Sequence, residues 1–416
     1  MMRMRTPLAL FVTGFVIVTP LLADSFELTP KKIKLNDKNA EIFPEIVLRV
    51  QASLPGVTKE PKYHSKNPQR FASTFGKGGE VRVSLVVDER KGPGKGYDCL
   101  VADIAGAGDL SQGKKVSGKP VKRGISYEDT SFSPFEVELK TDGSPTQLPV
   151  QARFSVSRNG PGDPSPRDSS LYLTALHALT GSVMFGDKKV DMVVFDANCN
   201  GTFGDKGVPR GKLGAAPGDK VWIGTGSASL EDACMEAIPI GKYYLFEGEY
   251  YEVGFTQSGV EIAKATVPLG RIRVSNPGYL LELVQGDDVL YVSAEKEQEI
   301  DVPVGRYQIN TPGFRRRGRG GIWELEGEPG GCKESFTVGE GQVTEIALGP
   351  PIRLVITGTT QAQGNGIVVY LDFAIEGSTG EKYKYLRQNG KKVDLPEVFI
   401  RTPGNKLVKK GRFEYG

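Results

Sequence analysis

Five oxygen-bearing residues fall within ten positions: Asp196, Asn198, Asn200, Thr202 and Asp205. Gly201 stands at the sixth place counted from Asp196. In a tight loop alternate side chains point toward one centre, and glycine takes a sharp bend with no Cβ penalty. A hard cation such as calcium takes six to eight oxygens, and such a loop offers several close together. The expected chemistry is calcium ligation by the side chains of Asp196, Asn198, Asn200 and Asp205 and the backbone carbonyl of Thr202. The competing expectation needs no metal. Asn200-Gly201 favours a tight turn, and Asp196 and Asn198 can satisfy loop amides by themselves.

The half-motif D-x-N-x-N-G resembles the opening of EF-hand, dockerin and thrombospondin type 3 calcium loops. It departs from the EF-hand at the twelfth place, where Gly207 replaces a bidentate acid. The resemblance therefore implies a weak site, with Kd on the order of 10⁻⁴–10⁻³ M as in extracellular modules. Asn200-Gly201-Thr202 is also a glycosylation sequon.

An earlier stretch has the same outline. Tyr97 to Asp103 is an apolar strand ending in Asp, with Gly108 five residues on and Leu110 after it; Asp191 to Asp196, Gly201 and Phe203 repeat the pattern. The first copy carries Ala105 and Ala107 where the second has Asn198 and Asn200. A degenerate internal repeat is expected, with only the second copy holding enough oxygens for a cation. The residues Gly92, Gly94, Gly96, Tyr97, Asp98, Leu100, Asp103, Gly108, Asp109 and Leu110 resemble a strand-loop of secreted bacterial β-rich proteins. That likeness covers about residues 80–260 and implies no particular activity.

Catalytic patterns are missing. The chain has no G-x-S-x-G, H-E-x-x-H or C-x-x-C, and its two histidines, His64 and His177, lie far apart. Glycosidases need two acids roughly 5–10 Å apart, and no spacing singles out such a pair. His64 is expected in a solvated loop without a partner, and His177 half-buried in a sheet. The stretch Lys91-Gly-Pro-Gly-Lys-Gly96 lacks a phosphate-loop signature and reads as a mobile hairpin loop. Phe314-Arg-Arg-Arg-Gly-Arg319 reads as a solvated loop tip. The aromatics between Tyr243 and Phe255 read as sheet core and cross-strand pairs. Cys99, Cys199, Cys234 and Cys332 are even in number and, in an exported chain, fit disulfides whose pairing stays open.

The elements that must position these residues are strands. Glycine (53) and proline (27) are too abundant for a helical protein and suit short strands joined by turns. Arg3, Arg5, the apolar run from Pro7 to Leu22 and Ala23 before Asp24 read as a signal peptide over 1–23. Two of the three net positive charges lie in that leader, so the remainder is near neutral. Such a balance singles out no polyanionic partner. Within residues 171–185 one continuous strand is expected, and at Ser229 a capping box opens one helical turn.

The expected fold is all-β, several β-sandwich domains in tandem with at most one short helix. The expected units are 24–160, 161–268 with the D-x-N-x-N-G loop, 269–349, and 350–416. Val302-Pro303-Val304-Gly305-Arg306-Tyr307 resembles a strand of carboxypeptidase-regulatory or prealbumin-like sandwiches, which implies a binding or spacer module at 269–349 without catalysis. The expected function is a secreted or envelope β-protein, non-catalytic, with a weak calcium loop. It would bind an extracellular protein, matrix or glycan, and neither nucleic acid nor, once the signal is cleaved, membrane. The alternatives are a secreted glycan-active hydrolase with paired carboxylates and a metal-free envelope spacer.

Overall fold

The computed structural model describes residues 23–413 apart from 37–38, 41, 124–126, 142–143, 159–165, 208–217, 227, 295–298, 329, 333–334, 364–365, 390, 395–396 and 402–403. Of the expected signal peptide over 1–23, residues 1–22 lie outside the described residues. The protein is all-β: antiparallel sheets dominate, and the one α-helix among the described residues is Leu230–Glu236. Ser229 caps it by accepting the Asp232 amide, as the capping-box reading expects. No helix among the described residues is long and apolar enough to cross a membrane.

A nine-stranded antiparallel sheet spans Ile46–Arg49 to Pro166–Ala175. Its strand Ser144–Arg158 pairs with Phe135–Thr141 through its first half and with Tyr127–Phe132 through its second. This sharing bends the sheet around one core, so that Phe71 and Phe75 at one end pack in the same cluster as Leu171 and Leu173 at the other.

The expected single strand over 171–185 is two strands. It breaks at Leu176, whose amide bonds Pro149 O at 2.8 Å and whose carbonyl accepts from Ile33 N at 2.9 Å. Before the break, Pro166–Ala175 belongs to the nine-stranded sheet; after it, His177–Phe185 joins a five-stranded sheet with Lys188–Phe195, Lys220–Gly224, Ile238–Pro239 and Thr29–Lys32. Apolar residues continue across the junction because both sheets bury this run, which hides the change from a reading of hydropathy.

The five-stranded sheet packs on both faces. Val190, Met192 and Val194 face the core shared with the sheet of Asp24–Glu27, Gly259–Lys264, Glu249–Phe255 and Tyr243–Phe246. Val193 and Phe195 face the opposite cluster, which Phe43 and the helix residues Ala233 and Cys234 complete. Burial on both sides explains the unbroken apolar run that ends at Asp196.

These pairings move the expected boundaries. Strands Asp24–Glu27 and Thr29–Lys32 pair with Gly259–Lys264 and His177–Phe185. They therefore sit with the later sandwich and not with a 24–160 unit. The divide at 160 falls inside the hairpin of Ser144–Arg158 and Pro166–Ala175.

From Leu269 onward, two sheets enclose one core. Leu269–Val274 pairs with Glu299–Pro303 and, in parallel, with Val343–Ile346. The larger sheet runs from Asp288–Ala294 through Gly305–Gly318 and Gly321–Gly327 to Lys382–Gln388 and Arg353–Gln363. Lys382–Gln388 pairs with Gly321–Gly327, so the expected boundary at 349/350 is bridged by a continuous sheet. The arginine run is strand up to Gly318 rather than loop, with Arg319-Gly320 as its turn.

Candidate functional site

Strand Lys188–Phe195 delivers Asp196, which is 3% exposed. Its Oδ1 accepts the Asn200 amide at 3.0 Å and its Oδ2 the Gly201 amide at 2.8 Å. The backbone reaches those positions through left-handed residues, Cys199 at φ 52° and Gly201 at φ 83°. A Cβ on Gly201 would stand 2.4 Å from Leu139 Cδ1, so any other residue would have to push that methyl aside as well as take a disfavoured φ. Cys199 packs into the core of the nine-stranded sheet, and Gly76 N donates to Asn200 O at 2.7 Å. The loop thus leaves one sheet and fastens to its neighbour.

Asn198, Asn200 and Thr202 converge on Asp205. Asp205 Oδ2 lies 3.0 Å from Asn198 Nδ2, 2.6 Å from Asn200 Nδ2 and 2.7 Å from Thr202 Oγ1. Asn200 Oδ1 accepts the Thr202 amide at 2.8 Å and lies equally close to the Thr202 hydroxyl, whose single proton serves one acceptor at a time.

A residue absent from the expected set completes the loop. Asp219 is fully buried; its Oδ1 accepts the Ala197 amide at 3.0 Å and its Oδ2 the amides of Gly204 at 2.9 Å and Asp205 at 3.1 Å. It precedes strand Lys220–Gly224 and stands far from Asp196 in sequence. The only local signal is an acid at the foot of an apolar strand.

Burial pushes the Asp196 carboxyl above the usual range against the pull of the Gly201 and Asn200 amides, with the Asp205 charge adding to the rise. Burial likewise raises Asp219, reinforced by the charge of Asp196. Burial also pushes Asp205 upward, but hydrogen bonds from Thr202, Asn198 and Asn200 outweigh it and hold its carboxyl below the usual range. Among the described residues no three His, Cys, Asp or Glu side chains are assembled to hold a metal. The donor types nonetheless suit a low-charge calcium site: two acids, two side-chain amides that present oxygen or nitrogen by rotation, and a carbonyl.

The first copy of the repeat has the same backbone design. Asp103 Oδ1 accepts the Ala107 amide at 2.9 Å and Oδ2 the Gly108 amide at 2.6 Å. Left-handed residues again fall three and five places after the acid, Gly106 at φ 65° and Gly108 at φ 75°. Asp109 turns instead to the Ser111 amide, at 2.9 Å.

Other candidates are structural. His64 does have a partner, contrary to expectation: Asp88 Oδ2 lies 3.4 Å from its Nδ1 and accepts its amide at 3.0 Å. The 91–96 loop is fastened by the Gly94 amide on Glu89 Oε1 at 3.0 Å. His177 stacks edge-on against Phe203 with centroids 4.9 Å apart. Tyr244 and Tyr251 are a directly opposed, buried cross-strand pair. Cys99, Cys199, Cys234 and Cys332 form no disulfide, against expectation. They are buried in four different core clusters, which keeps any two from meeting. A cavity of about 300 Å³ lies between Tyr243–Phe246 and Asp288–Ala294, walled partly by Trp222, and shares no residue with the Asp196 loop. No family model, curated protein or solved structure matches the chain.

Proposed function

We propose that the protein is a non-catalytic, exported β-scaffold that binds an extracellular partner, with the Asp196 loop as a clasp between two sheets that takes up calcium weakly. The observation that carries this reading is the engagement of Asp196 and Asp219. All four of their carboxylate oxygens lie on amides of one loop, an arrangement suited to fixing backbone and ill-suited to abstracting a proton from a substrate. Asp196, Asn198, Asn200, Asp205 and the Thr202 carbonyl would hold the ion. Bound calcium would supply positive charge against the mutual repulsion of Asp196, Asp205 and Asp219.

The test is the melting temperature followed through a calcium titration into the millimolar range. At calcium about ten times Kd the folded state gains about 1.4 kcal/mol. Melting should rise in the wild type and stay flat in Asp205→Asn. A flat wild-type response removes the metal and leaves the clasp as the joint of a metal-free spacer. Turnover in a glycan and peptide substrate screen, abolished by one carboxylate change, overturns the non-catalytic reading.

A further inference from the structure

We propose that the paired tips of hairpins 305–327 and 382–392 form a docking surface for an acidic polysaccharide carrying sulfate or carboxylate groups. This deepens the binding reading above by naming the partner's class, and it does not depend on calcium.

The sheet register builds the surface. Gly305–Gly318 pairs with Gly321–Gly327, which pairs with Lys382–Gln388, which pairs with Lys391–Lys392. Directly opposed residues share a face, so Arg315, Glu324, Arg387 and Lys392 form one row across four strands. Arg315 and Arg387 engage the nearby carboxylates: Arg315 to Glu324 at 3.3 Å and Arg387 to Glu326 at 3.1 Å. Arg317 shares the face of that row, Arg316 and Lys391 stand on the reverse face opposite Trp323 and Gln388, and Arg319 is on the turn, so the four wrap around the tip. All are exposed and make no ion pair among the described residues. The whole chain carries a formal net charge of only +3, so this density is local rather than a property of the composition.

The two tips are bolted together. Asn389, at φ 52°, accepts the Ile322 amide on Oδ1 at 2.9 Å and donates from Nδ2 to Gly320 O at 3.0 Å. Its own amide bonds Ile322 O at 2.8 Å. A solvated loop must be ordered when it binds; a braced pair of turns loses less entropy. That bracing distinguishes this surface from scattered basic side chains.

The aromatics choose between polyanions. Bases of single-stranded nucleic acid stack on exposed rings. Trp323 lies over Gly318 with its Nε1 on Arg319 O at 3.0 Å. Tyr385 is taken by cations, Lys392 at 3.9 Å, Lys384 at 4.9 Å and Arg387 at 5.7 Å from its centroid. Both half-buried rings are already engaged by their neighbours, which leaves little free face for a base. What remains is guanidinium and ammonium charge, which matches sulfate and carboxylate on a sugar backbone.

The full chain is titrated into a fluorescein-labelled heparin oligosaccharide and, separately, an oligothymidine of equal charge, with anisotropy as readout. EDTA is present throughout, so failure here is separable from failure of the calcium loop. Saturable heparin binding is expected, with affinity falling about tenfold or more when Arg316, Arg317 and Arg319 are replaced by Gln, on the scale of counterion release for lost charge contacts. Gln at the exposed Lys114, Lys115 and Lys119 removes equal charge elsewhere and should leave binding nearly unchanged. Asn389→Gly keeps the turn and every charge, and should weaken binding by releasing the brace. The proposal is overturned by no heparin binding, by oligothymidine binding as tightly, or by the lysine control losing as much as the arginine variant. Undiminished affinity in Asn389→Gly also overturns it.

Discussion

Asp103 and Asp196 hold the same two backbone positions, the amides four and five residues after each acid, one on each carboxylate oxygen. Their loops share left-handed residues three and five positions after the acid but not their polar side chains. The geometry that the two copies have in common therefore requires no metal. Only the second copy adds the amides and hydroxyl that gather on Asp205.

This relationship fixes the consequences of removing either acid. Asp103→Ala takes the acceptor from two amides, whereas Asp196→Ala takes it from Gly201 and leaves Asn200 N on Asn198 Oδ1 at 3.1 Å. Each should destabilise the fold by about 1–3 kcal/mol in urea denaturation. Asp→Asn retains one acceptor oxygen and should cost less at both positions. Equal stability of Asp196→Ala and wild type would show that the loop amides find other partners without loss.

The two glycines should respond unequally to alanine. Both occupy left-handed conformations, which disfavour a Cβ. A Cβ at Gly108 would meet the Gly56 backbone oxygen at 2.5 Å, whereas at Gly201 it would meet the Leu139 side chain at 2.4 Å. A leucine methyl can rotate aside and a carbonyl in the main chain cannot. Gly108→Ala is expected to lower stability by more than Gly201→Ala, each by at least about 1 kcal/mol, measured by chemical denaturation.

His177 sets a limit on the acid side. Burial depresses its pKa in the folded state, so the folded ring stays neutral where the unfolded ring takes a proton. Stability is therefore unaffected well above the ordinary histidine pKa of about 6.5 and falls as pH drops through it. Melting curves between neutral and mildly acidic pH should show that fall, and His177→Gln should flatten this part of the profile. A slope identical in the variant would assign the loss to other groups.

The thiols give an independent check on the packing. Burial raises the Cys199 thiol far above its usual range, Cys234 to about 11, and Cys99 in the same direction. With the protonated form favoured and the sulfurs enclosed, native protein should react slowly with Ellman's reagent, and denatured protein should release all four thiols. Reducing agent should leave the melting temperature unchanged.

Where a feature depends on neighbours in sequence, the chain itself announces it. Glu247-Gly248 and Asn389 are left-handed turn residues between paired strands, and the Ser229 cap starts its helix. The alternation of Val190, Val193 and Phe195 between two cores is equally visible as an apolar run. What was not legible depends on distant partners. Nothing near Leu176 marks a change of sheet, because the cause is Pro149 and Ile33. Asp219 joins the Asp196 loop only after the chain has folded back, and His64 finds Asp88 in the same way. The arginine run gives no sign that Asn389 will brace it as strand.

The first strands of the chain have distant partners. Asp24–Glu27 pairs with Gly259–Lys264 and Thr29–Lys32 with His177–Phe185, while every partner within the nine-stranded sheet lies between Ile46 and Ala175. Once Ala175 has emerged from the ribosome or the export channel, every strand of that sheet is available, whereas the opening strands lack their partners until Lys264 has emerged. Pairing over such separations is slow. Long sequence separation thus sets the leading strands apart: they close the middle sandwich only when residues more than a hundred positions later are in place.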